Sequence, residues 1–317
     1  MEYLIPHFGS TQLVYEAVAS IVRTDQSAAV YIGDDTCSLT DADLAPFVVT
    51  IIPGPQKGFA SNVNNLVRHA TGEWVTILNN DVVLSSRWWR YMQEHIREQN
   101  ERTFSIASTV VRPDGLIDSL GDALSWYGIG FNRFHLKKIH PNYLRASRIL
   151  GATGGLAVLR RQLFLELGGY SETLQSYCED TQLNIRANAA GYVSVYYPDP
   201  VAVHRGTSTF SVGKKYYQSA RNSALYIRMD FANPLRARML RRVSAYWRMK
   251  ALLSRRHRND ILAGLLAGFR EPVTTSSIAI HALPKGACTE NFGQSQIRLL
   301  SQFFISVGRR LRLLRSA

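Results

Sequence analysis

The strongest constraint on the fold is a regular alternation of β-branched runs and helical stretches in the first 81 residues. The segments are, in order, YLIPHF, TQLVYEAVASIV, AAVYIGDD, FVVTIIPG, FASNVNNLVRHA and WVTILNND. Their patterns predict strand, helix, strand, strand, helix and strand, an order typical of a mainly parallel sheet with helices on its faces. Hydrophobic residues make up 46% of the 317 residues, enough to bury a large core. We therefore predict an α/β fold.

Charge divides the chain into two parts. Residues 213–317 contain 20 Lys and Arg against 4 Asp and Glu, whereas residues 1–212 carry a net charge of −3. We predict one α/β domain over residues 1–212 and a basic helical region over residues 213–317. The turn at Asn233-Pro234 marks another candidate boundary.

Cysteine usage and apolar runs indicate the compartment. Cys37, Cys178 and Cys288 are far apart and form no Cys-x-x-Cys pair, so neither a disulfide framework nor a zinc knuckle is predicted. The first residues lack the pattern of a signal peptide, and the apolar run 261–269 is too short to cross a bilayer. We therefore expect a cytoplasmic protein.

Polar residues close three of the predicted strands. These are Asp34-Asp35, Asn79-Asn80-Asp81 and His204. In open α/β sheets ligands bind beyond the carboxyl ends of the strands, although Asp and Asn are also common turn formers. Asp81 and His204 offer the oxygen and nitrogen ligands that Mg²⁺ or Mn²⁺ accepts, and Mg²⁺ needs only one or two protein carboxylates beside substrate phosphates. The sequence alone leaves the metal site and the turn as alternatives.

An acidic pair precedes another predicted helix. Glu179 and Asp180 come directly before a helix-compatible run that Gly191 ends. Acids in a first helical turn stabilise it by about 0.3–1 kcal/mol without any further function. Alternatively, one carboxylate accepts the proton of a bound hydroxyl as a general base. Both interpretations remain open at this point.

Six segments together carry a family resemblance. They are LIPHFG, IGDDTCS, KGFASNVNNLVRHATGEWVTILNNDVVL, GATGGLAVLRRQLFLELGGYSE, YCEDTQLNIRANAAGY and VYYPDPVAVHRGTST. In order and spacing they resemble family 2 inverting glycosyltransferases with the GT-A fold, in particular the rhamnosyltransferase-like branch that builds bacterial cell-surface polysaccharides. The resemblance covers residues 3–210. It implies nucleotide-sugar binding by residues 1–110 and an acceptor side over residues 111–212.

The resemblance also implies roles for individual residues. Donor-nucleotide contacts are implied for Pro6, Asp34, Asp35, Lys57, Gly58, Phe59, Asn64, Asn79 and Asn80. The implied metal ligands are Asp81 and His204, and the implied ion is Mn²⁺ or Mg²⁺. The implied catalytic residues are Asp180, as general base, and the preceding Glu179. Gly154 and Gly155 match the loop near the transferred sugar and acceptor, while Asn79 replaces the first carboxylate of the usual Asp-x-Asp motif.

The implied reaction moves one sugar from a nucleotide-diphosphate sugar to a hydroxyl of a glycan or lipid-linked saccharide acceptor. The chain lacks the Gln-x-x-Arg-Trp motif of processive relatives, so we expect one sugar to be added per encounter. Candidate stacking platforms for acceptor sugars are Trp126, Tyr127, Phe131 and Tyr143, although such aromatics more often belong to a core.

The basic region predicts a surface contact. Residues 236–258 and 296–317 mix arginines with apolar side chains, and in the second segment the apolar residues form one helical stripe at Ile297, Leu300, Phe304, Val307, Leu311 and Leu314. This pattern is typical of an amphipathic helix on an anionic membrane surface, here the cytoplasmic face. The alternative is packing on the α/β domain or on a second subunit of a homo-oligomer.

Two other function classes remain to be considered. Asn79, in place of a carboxylate, is compatible with a non-catalytic module that binds nucleotide sugars. A sequence pI near 9.9 is compatible with nucleic-acid binding. Because residues 1–212 are slightly acidic and contain no recognised nucleic-acid module, we expect no nucleic-acid partner.

Overall fold

The computed structural model describes residues 1–206, 211–276, 278–283 and 294. The strands are β1 (Glu2–His7), β2 (Ala29–Asp34), β3 (Thr50–Pro53), β4 (Trp74–Leu78), β5 (Val82–Leu84), β6 (Thr103–Val111), β7 (Ile117–Ser119), β8 (Asp122–Leu124), β9 (Gly130–Asn132), β10 (Ser147–Ile149), β11 (Leu156–Arg160) and β12 (Val193–His204). The α-helices are α1 (Thr11–Thr24), α2 (Asp41–Leu44), α3 (Phe59–His69), α4 (Trp88–Arg97), α5 (Arg161–Glu166), α6 (Glu179–Ala189), α7 (Val212–Asp230), α8 (Leu235–Leu253) and α9 (Arg258–Arg270).

Most strands join one mixed sheet in the order β10-β12-β6-β11-β4-β1-β2-β3, while β5 pairs with β12 and β7 with β6. The strands β4, β1, β2 and β3 run parallel, as do β6 and β12. β11 enters between β4 and β6 in the opposite direction, so both of its pairings are antiparallel. The pairs β10–β12, β5–β12 and β6–β7 are antiparallel as well. The predicted α/β fold with helices on the sheet is confirmed, and its parallel character is strongest in the N-terminal half.

Helices cover both faces of this sheet, and β1 is therefore buried on both sides. Tyr3 and Ile5 pack in the cluster that includes Val18 of α1. Leu4, between them in sequence, belongs to the opposite cluster with Val63 of α3. Successive strand residues point to opposite faces, so the continuous apolar run of β1 is what a central strand requires. The carboxyl ends of β1, β2 and β4 consequently meet at one edge.

The basic region packs on the α/β domain through α7, α8 and α9. Buried residues of α8, among them Met239, Val243 and Trp247, share one apolar cluster with Tyr127 and Ile185 of the preceding domain. The apolar side of residues 236–258 therefore packs on the α/β domain, the alternative to membrane contact. The predicted stripe from Ile297 to Leu314 lies outside the described residues. In the part of the chain that the structure describes, no helix has the length and apolar character of a membrane span.

Candidate active site

One cavity of about 810 Å³ opens where the parallel strands end. Its wall includes Pro6 and His7 of β1, the turn that follows β4, and the first residues of α6. His204 at the end of β12 and Lys215 of α7 complete one side. This volume is within the range of small-molecule sites in proteins. The cavity is therefore where the predicted site residues should be sought.

The turn after β4 places three polar residues in the cavity wall. β4 ends at Leu78, and Asn79, Asn80 and Asp81 follow before β5 begins. The Asn79 N–H donates to the Gly155 carbonyl at 3.0 Å, which joins this turn to the Gly154-Gly155 loop. The Asn80 amide donates to Nδ1 of His7 at 3.0 Å. The turn is held from both sides, so its polar side chains have fixed positions.

Asp81 and His204 lie side by side in the cavity. Asp81 is buried, and its Oδ1 lies 3.2 Å from Nε2 of His204. The other ring nitrogen of His204 lies 2.8 Å from Oδ2 of Asp118, the residue in the middle of β7. Burial lowers the pKa of His204, but the hydrogen bonds to Asp118 and Asp81 outweigh burial and raise it to about 9. In the metal-free protein the imidazole is therefore protonated and binds two carboxylates.

The donor set here fits a divalent cation with few protein ligands. The described residues contain no group of three or more His, Cys, Asp or Glu side chains arranged around one ion. Asp81 and His204 nevertheless present one carboxylate and one imidazole to the same point of the wall. A hard cation takes such a pair when water and phosphate oxygens supply the other positions. Asp118 would then fix the orientation of the imidazole, as carboxylates do for metal-bound histidines.

Asp180 lies in the first turn of α6 with both carboxyl oxygens oriented. The Gly154 N–H donates to Oδ2 at 2.8 Å, and the Thr181 N–H donates to Oδ1 at 2.7 Å. Burial raises the pKa of Asp180 above its ordinary value, and these hydrogen bonds offset part of that effect. The result is a half-buried, positioned carboxylate at the cavity wall, which is the arrangement that a general base requires.

The loop before α6 is unusual in its backbone. Gln175, Tyr177 and Cys178 all have left-handed φ values, of 59°, 71° and 71°. Residues other than glycine seldom adopt this conformation, and those that do are concentrated at functional sites. The Asn222 amide of α7 donates to the carbonyls of Leu174, Ser176 and Tyr177 at 2.7–2.9 Å. A helix of the basic region thus stabilises the loop that aims α6 at the cavity.

Two further buried carboxyl groups accompany Asp180. Glu179 and Asp122 both line the cavity, and Asp122 begins β8. Burial raises the pKa of each well above its ordinary value, and the charge of Asp180 adds to this effect. Among the described residues, Oε2 of Glu179 has no hydrogen-bond partner. This end of the cavity therefore brings together the carboxyl groups of Asp122, Glu179 and Asp180.

Of the predicted acidic pair Asp34-Asp35, one member lines the cavity and the other does not. The carboxylate of Asp34 accepts the backbone N–H groups of Thr36, Ser38 and Leu39, so it shapes its own loop, and the neighbouring Asp35 lines the cavity. A donor contact stays a prediction for both residues.

Asn64 likewise lies outside the cavity wall. Its side-chain amide donates to the Tyr170 carbonyl and accepts the Tyr170 N–H. Asn62, two residues earlier on α3, lines the cavity instead. Lys57 is exposed and lies outside the cavity wall, whereas the adjacent Gly58 and Phe59 belong to it.

The predicted acceptor aromatics divide in two. Phe131 lines the cavity, but Trp126 and Tyr127 do not. Trp126 lies under the guanidinium of Arg242, 3.8 Å from the ring centroid, and Tyr127 packs on Tyr246 of the same helix. Both residues pack between the domain and α8, and their predicted contact with sugar or acceptor stays a prediction. Tyr143 stacks on Phe134, also away from the cavity.

The fold is similar to that of several solved glycosyltransferases. Mannosyltransferase PcManGT from Pyrobaculum calidifontis, in complex with GDP-Man and Mn²⁺, superposes with a TM-score of 0.53 at 17% identity, over 85% of this chain and 86% of that one. GalNAc-T7 with UDP, GalNAc and Mn²⁺ gives 0.58 at 15% identity, over 80% and 50%. Residues 1–349 of S. aureus TarS with UDP-GlcNAc give 0.52 at 13% identity, over 85% and 80%. These likenesses define a GT-A-like fold.

The sequence comparison identifies the family. The family model described as glycosyl transferase family 2 matches residues 3–168, slightly more than half of the chain, and the chain belongs to this family. O-antigen biosynthesis protein RfbC of Myxococcus xanthus is 26% identical over 137 residues, 41% of this chain. The match spans only 11% of the length of that relative. The predicted family is confirmed, and assignment to the rhamnosyltransferase-like branch stays a prediction.

Proposed function

We propose that this glycosyltransferase moves one sugar from a nucleotide-diphosphate sugar to a hydroxyl of a glycan or lipid-linked acceptor, with inversion at the anomeric carbon. The process it serves would be cell-surface polysaccharide synthesis. One observation carries the proposal: a single cavity contains the Asp81 and His204 pair and the positioned carboxylate of Asp180. A metal-ligand pair and a general base in one cavity are what a direct displacement requires.

The nucleotide side of the cavity would lie at the ends of β1 and β2. Pro6, Asp35 and Asn62 line it there, and the Asn62 amide donates to the Gly33 carbonyl at 2.8 Å. A side chain at Gly33 would collide with that amide, because its Cβ would lie 1.9 Å from Oδ1 of Asn62. Asp35 also accepts the Gln56 N–H at 3.0 Å. We propose that Asp35 and Asn62 contact the nucleoside, in place of Asp34 and Asn64.

The diphosphate side would lie at Asp81 and His204, which would hold Mn²⁺ or Mg²⁺. When bound, such an ion neutralises negative charge on the diphosphate as a Lewis acid. The Mn²⁺ in the solved complexes of PcManGT and GalNAc-T7 supports a divalent cation here. Asp81 would keep the ion at the end of β4, and Asp118 would hold the His204 ring so that Nε2 faces it.

Asp180 would accept the proton of the acceptor hydroxyl. As that proton leaves, the acceptor oxygen bonds to the anomeric carbon, and the bond from this carbon to the diphosphate breaks with its electron pair on the leaving oxygen. One displacement inverts the anomeric configuration and needs no covalent enzyme intermediate. Gly154 supports this role, because its N–H holds one carboxyl oxygen of Asp180 in place. Phe131 and Glu179 are the proposed contacts to the acceptor and the transferred sugar.

The pH dependence of transfer should report Asp180. A base must be deprotonated, so the rate should rise with pH and reach its plateau only above the pKa of this carboxyl. Because burial raises that pKa, we expect the acid limb of the pH–rate profile to lie above the ordinary value of 3.8. Single-turnover rates between pH 4 and 8, with melting temperatures recorded at each pH, would measure it. A flat profile down to pH 4 in folded protein would contradict the assignment.

The first experiment for the proposed function is a thermal-shift screen of UDP, GDP, CDP and dTDP with and without Mn²⁺. A ligand that binds only the native state raises the melting temperature by mass action. We expect one nucleotide to stabilise the protein, and to do so more with Mn²⁺ than without. If none of the four raises the melting temperature in either condition, the proposal is wrong.

Asn79 favours one alternative function. It lies in the cavity wall where the usual motif has a carboxylate, which is compatible with a module that binds nucleotide sugars without transferring them. The corresponding result would be a donor that binds and is neither transferred nor hydrolysed.

We also propose that the protein is cytoplasmic and contacts an anionic membrane through α8. This helix contains no Asp or Glu, and its exposed side carries Arg238, Arg241 and Arg248. Each basic residue near an anionic surface contributes about 1 kcal/mol. Replacing these three arginines by Gln should therefore weaken binding to phosphatidylserine-containing vesicles by roughly two orders of magnitude, measured by vesicle flotation.

The matched control for this variant replaces three exposed arginines of the α/β domain, Arg87, Arg90 and Arg97. Flotation should be unchanged in the control if α8 is the contact. Equal losses in the two variants would mean that only total charge matters. Full binding by the α8 variant would remove this surface from the account, leaving a second subunit as the alternative partner.

A further inference from the structure

Helix α7 is built into the cavity although it belongs to the basic region. Lys215 and Ser219 line the cavity from successive turns of this helix. Asn222 follows on the same side and holds the loop before α6 through its three carbonyl contacts. The family match ends at residue 168, well before α7 begins. α7 therefore supplies side chains to the site from outside the matched segment.

Both ends of α7 are held by specific contacts. Asp230, its last residue, forms a buried ion pair with Arg186 of α6 through two contacts of 3.0 and 3.1 Å. At the start, the Ser211 hydroxyl accepts the Lys214 N–H. Since α6 carries Asp180 and α7 carries Lys215, the ion pair links the two helices rigidly. The position of Lys215 relative to the proposed base is thus determined by packing.

Carboxyl groups are the most numerous ionisable side chains of the described cavity wall. The described wall contains the carboxyl groups of Asp35, Asp81, Asp122, Glu179 and Asp180. Lys215 is the one lysine or arginine that the described wall contains. No described carboxylate lies within 4 Å of its ammonium group. Burial lowers the pKa of Lys215, and the charge of Asp81 offsets part of that effect. A ligand with several negative charges would find its cationic side chain here.

We propose that Lys215 binds the diphosphate of the donor and stabilises it as it leaves, so that the basic region contributes directly to the reaction. This inference rests on the proposed function. It assigns the Lys215 ammonium group to the leaving diphosphate, beside Asp81. The ammonium group would donate hydrogen bonds to phosphate oxygens, and no proton need be transferred. Charge-assisted hydrogen bonds of this kind are among the strongest in proteins.

The test uses the full chain and inorganic pyrophosphate, which presents the diphosphate without a nucleoside. Calorimetric titration with pyrophosphate and Mn²⁺ should show a Kd that is roughly ten- to a hundredfold weaker in Lys215→Gln than in the unmodified protein. Lys215→Arg keeps the charge and should bind within a few-fold. The matched control is Lys214→Gln, at the adjacent lysine, which lies outside the cavity wall and should leave the Kd unchanged.

Three outcomes separate this inference from the proposed function. If Lys215→Gln has an unchanged melting temperature and an unchanged Kd for pyrophosphate, while UDP or GDP still binds the unmodified protein, the role of Lys215 is wrong and the proposed function stands. If Lys215→Gln and Lys214→Gln weaken binding equally, the effect is general charge and the inference fails. If the unmodified protein binds neither pyrophosphate nor any nucleoside diphosphate with Mn²⁺, both proposals fail.

Discussion

Asp180→Asn is expected to slow sugar transfer by about 10²–10⁴-fold while donor binding stays close to that of the unmodified protein. The amide has the shape of the carboxyl group, and its oxygen can still accept the Gly154 N–H, which should keep the side chain in place, although the bond from the Thr181 N–H is lost. It cannot accept the proton of the acceptor, and general-base assistance contributes about 10²–10⁴-fold to a rate. We expect kcat to fall by that factor, with little change in the Kd of the donor, measured by single-turnover transfer and by calorimetry.

The control for this variant is Asp114→Asn, which removes an exposed carboxylate outside the cavity wall and should leave kcat unchanged. Substantial turnover by folded Asp180→Asn would exclude Asp180 as the base. Glu179, the neighbouring buried carboxyl, would then be the next residue to test.

Asp81→Ala is expected to abolish metal-dependent transfer, whereas Asn79→Ala should only weaken it. Asp81 is the proposed anionic metal ligand, and His204 with Asn79 would offer only neutral donors once it is removed. Asn79 contributes a neutral amide to the cavity wall, and a single hydrogen bond of that kind is worth about 0.5–1.5 kcal/mol. We therefore expect Asn79→Ala to lower kcat/KM by roughly tenfold or less, and Asp81→Ala to bring it below detection.

Calorimetric titration with Mn²⁺ in the presence of UDP or GDP would measure the same difference without turnover. A chelator provides the second check, because EDTA should stop transfer by the unmodified protein and added Mn²⁺ should restore it. Transfer that continues unchanged in EDTA, or an Asp81→Ala variant with normal metal-dependent activity, would contradict the metal assignment.

The features that sequence patterns located well are those set by local structure. A buried strand that ends in Asn79-Asn80-Asp81 must deliver these residues to the carboxyl edge of the sheet, because parallel neighbours fix its direction. Asp180 likewise follows from a helix start, since the first turn of α6 is evident from its flanking residues. His204 was found because β12 ends there.

The predicted site residues that lie outside the cavity wall are positioned by tertiary contacts. Asp34 and Asp35 are adjacent, and only the hydrogen bonds of the following loop decide which one faces the cavity. Trp126 and Tyr127 were candidates for sugar stacking, but helices that follow about 110 residues later bury them. No local signal distinguishes an aromatic residue that will meet a ligand from one that will meet a helix.

Some site residues had no local signal at all. Asp118 and Asp122 belong to short strands in a segment without clear periodicity, yet they reach His204 and the end of the cavity near Asp180. Lys215 stood in a strongly basic region whose overall charge indicated a surface function. Its position in the cavity follows from the packing of α7 against α6, which involves the buried pair of Arg186 and Asp230.

The anomeric configuration of the first product tests the central claim most directly. The donor would be the nucleotide sugar whose nucleotide stabilises the protein in the thermal-shift screen, and NMR of the product glycoside would identify its anomeric configuration. The proposed single displacement, with Asp180 as base, predicts a product with the anomeric configuration opposite to that of the donor. A product that retains the donor configuration would contradict a single displacement, and with it the role assigned to Asp180.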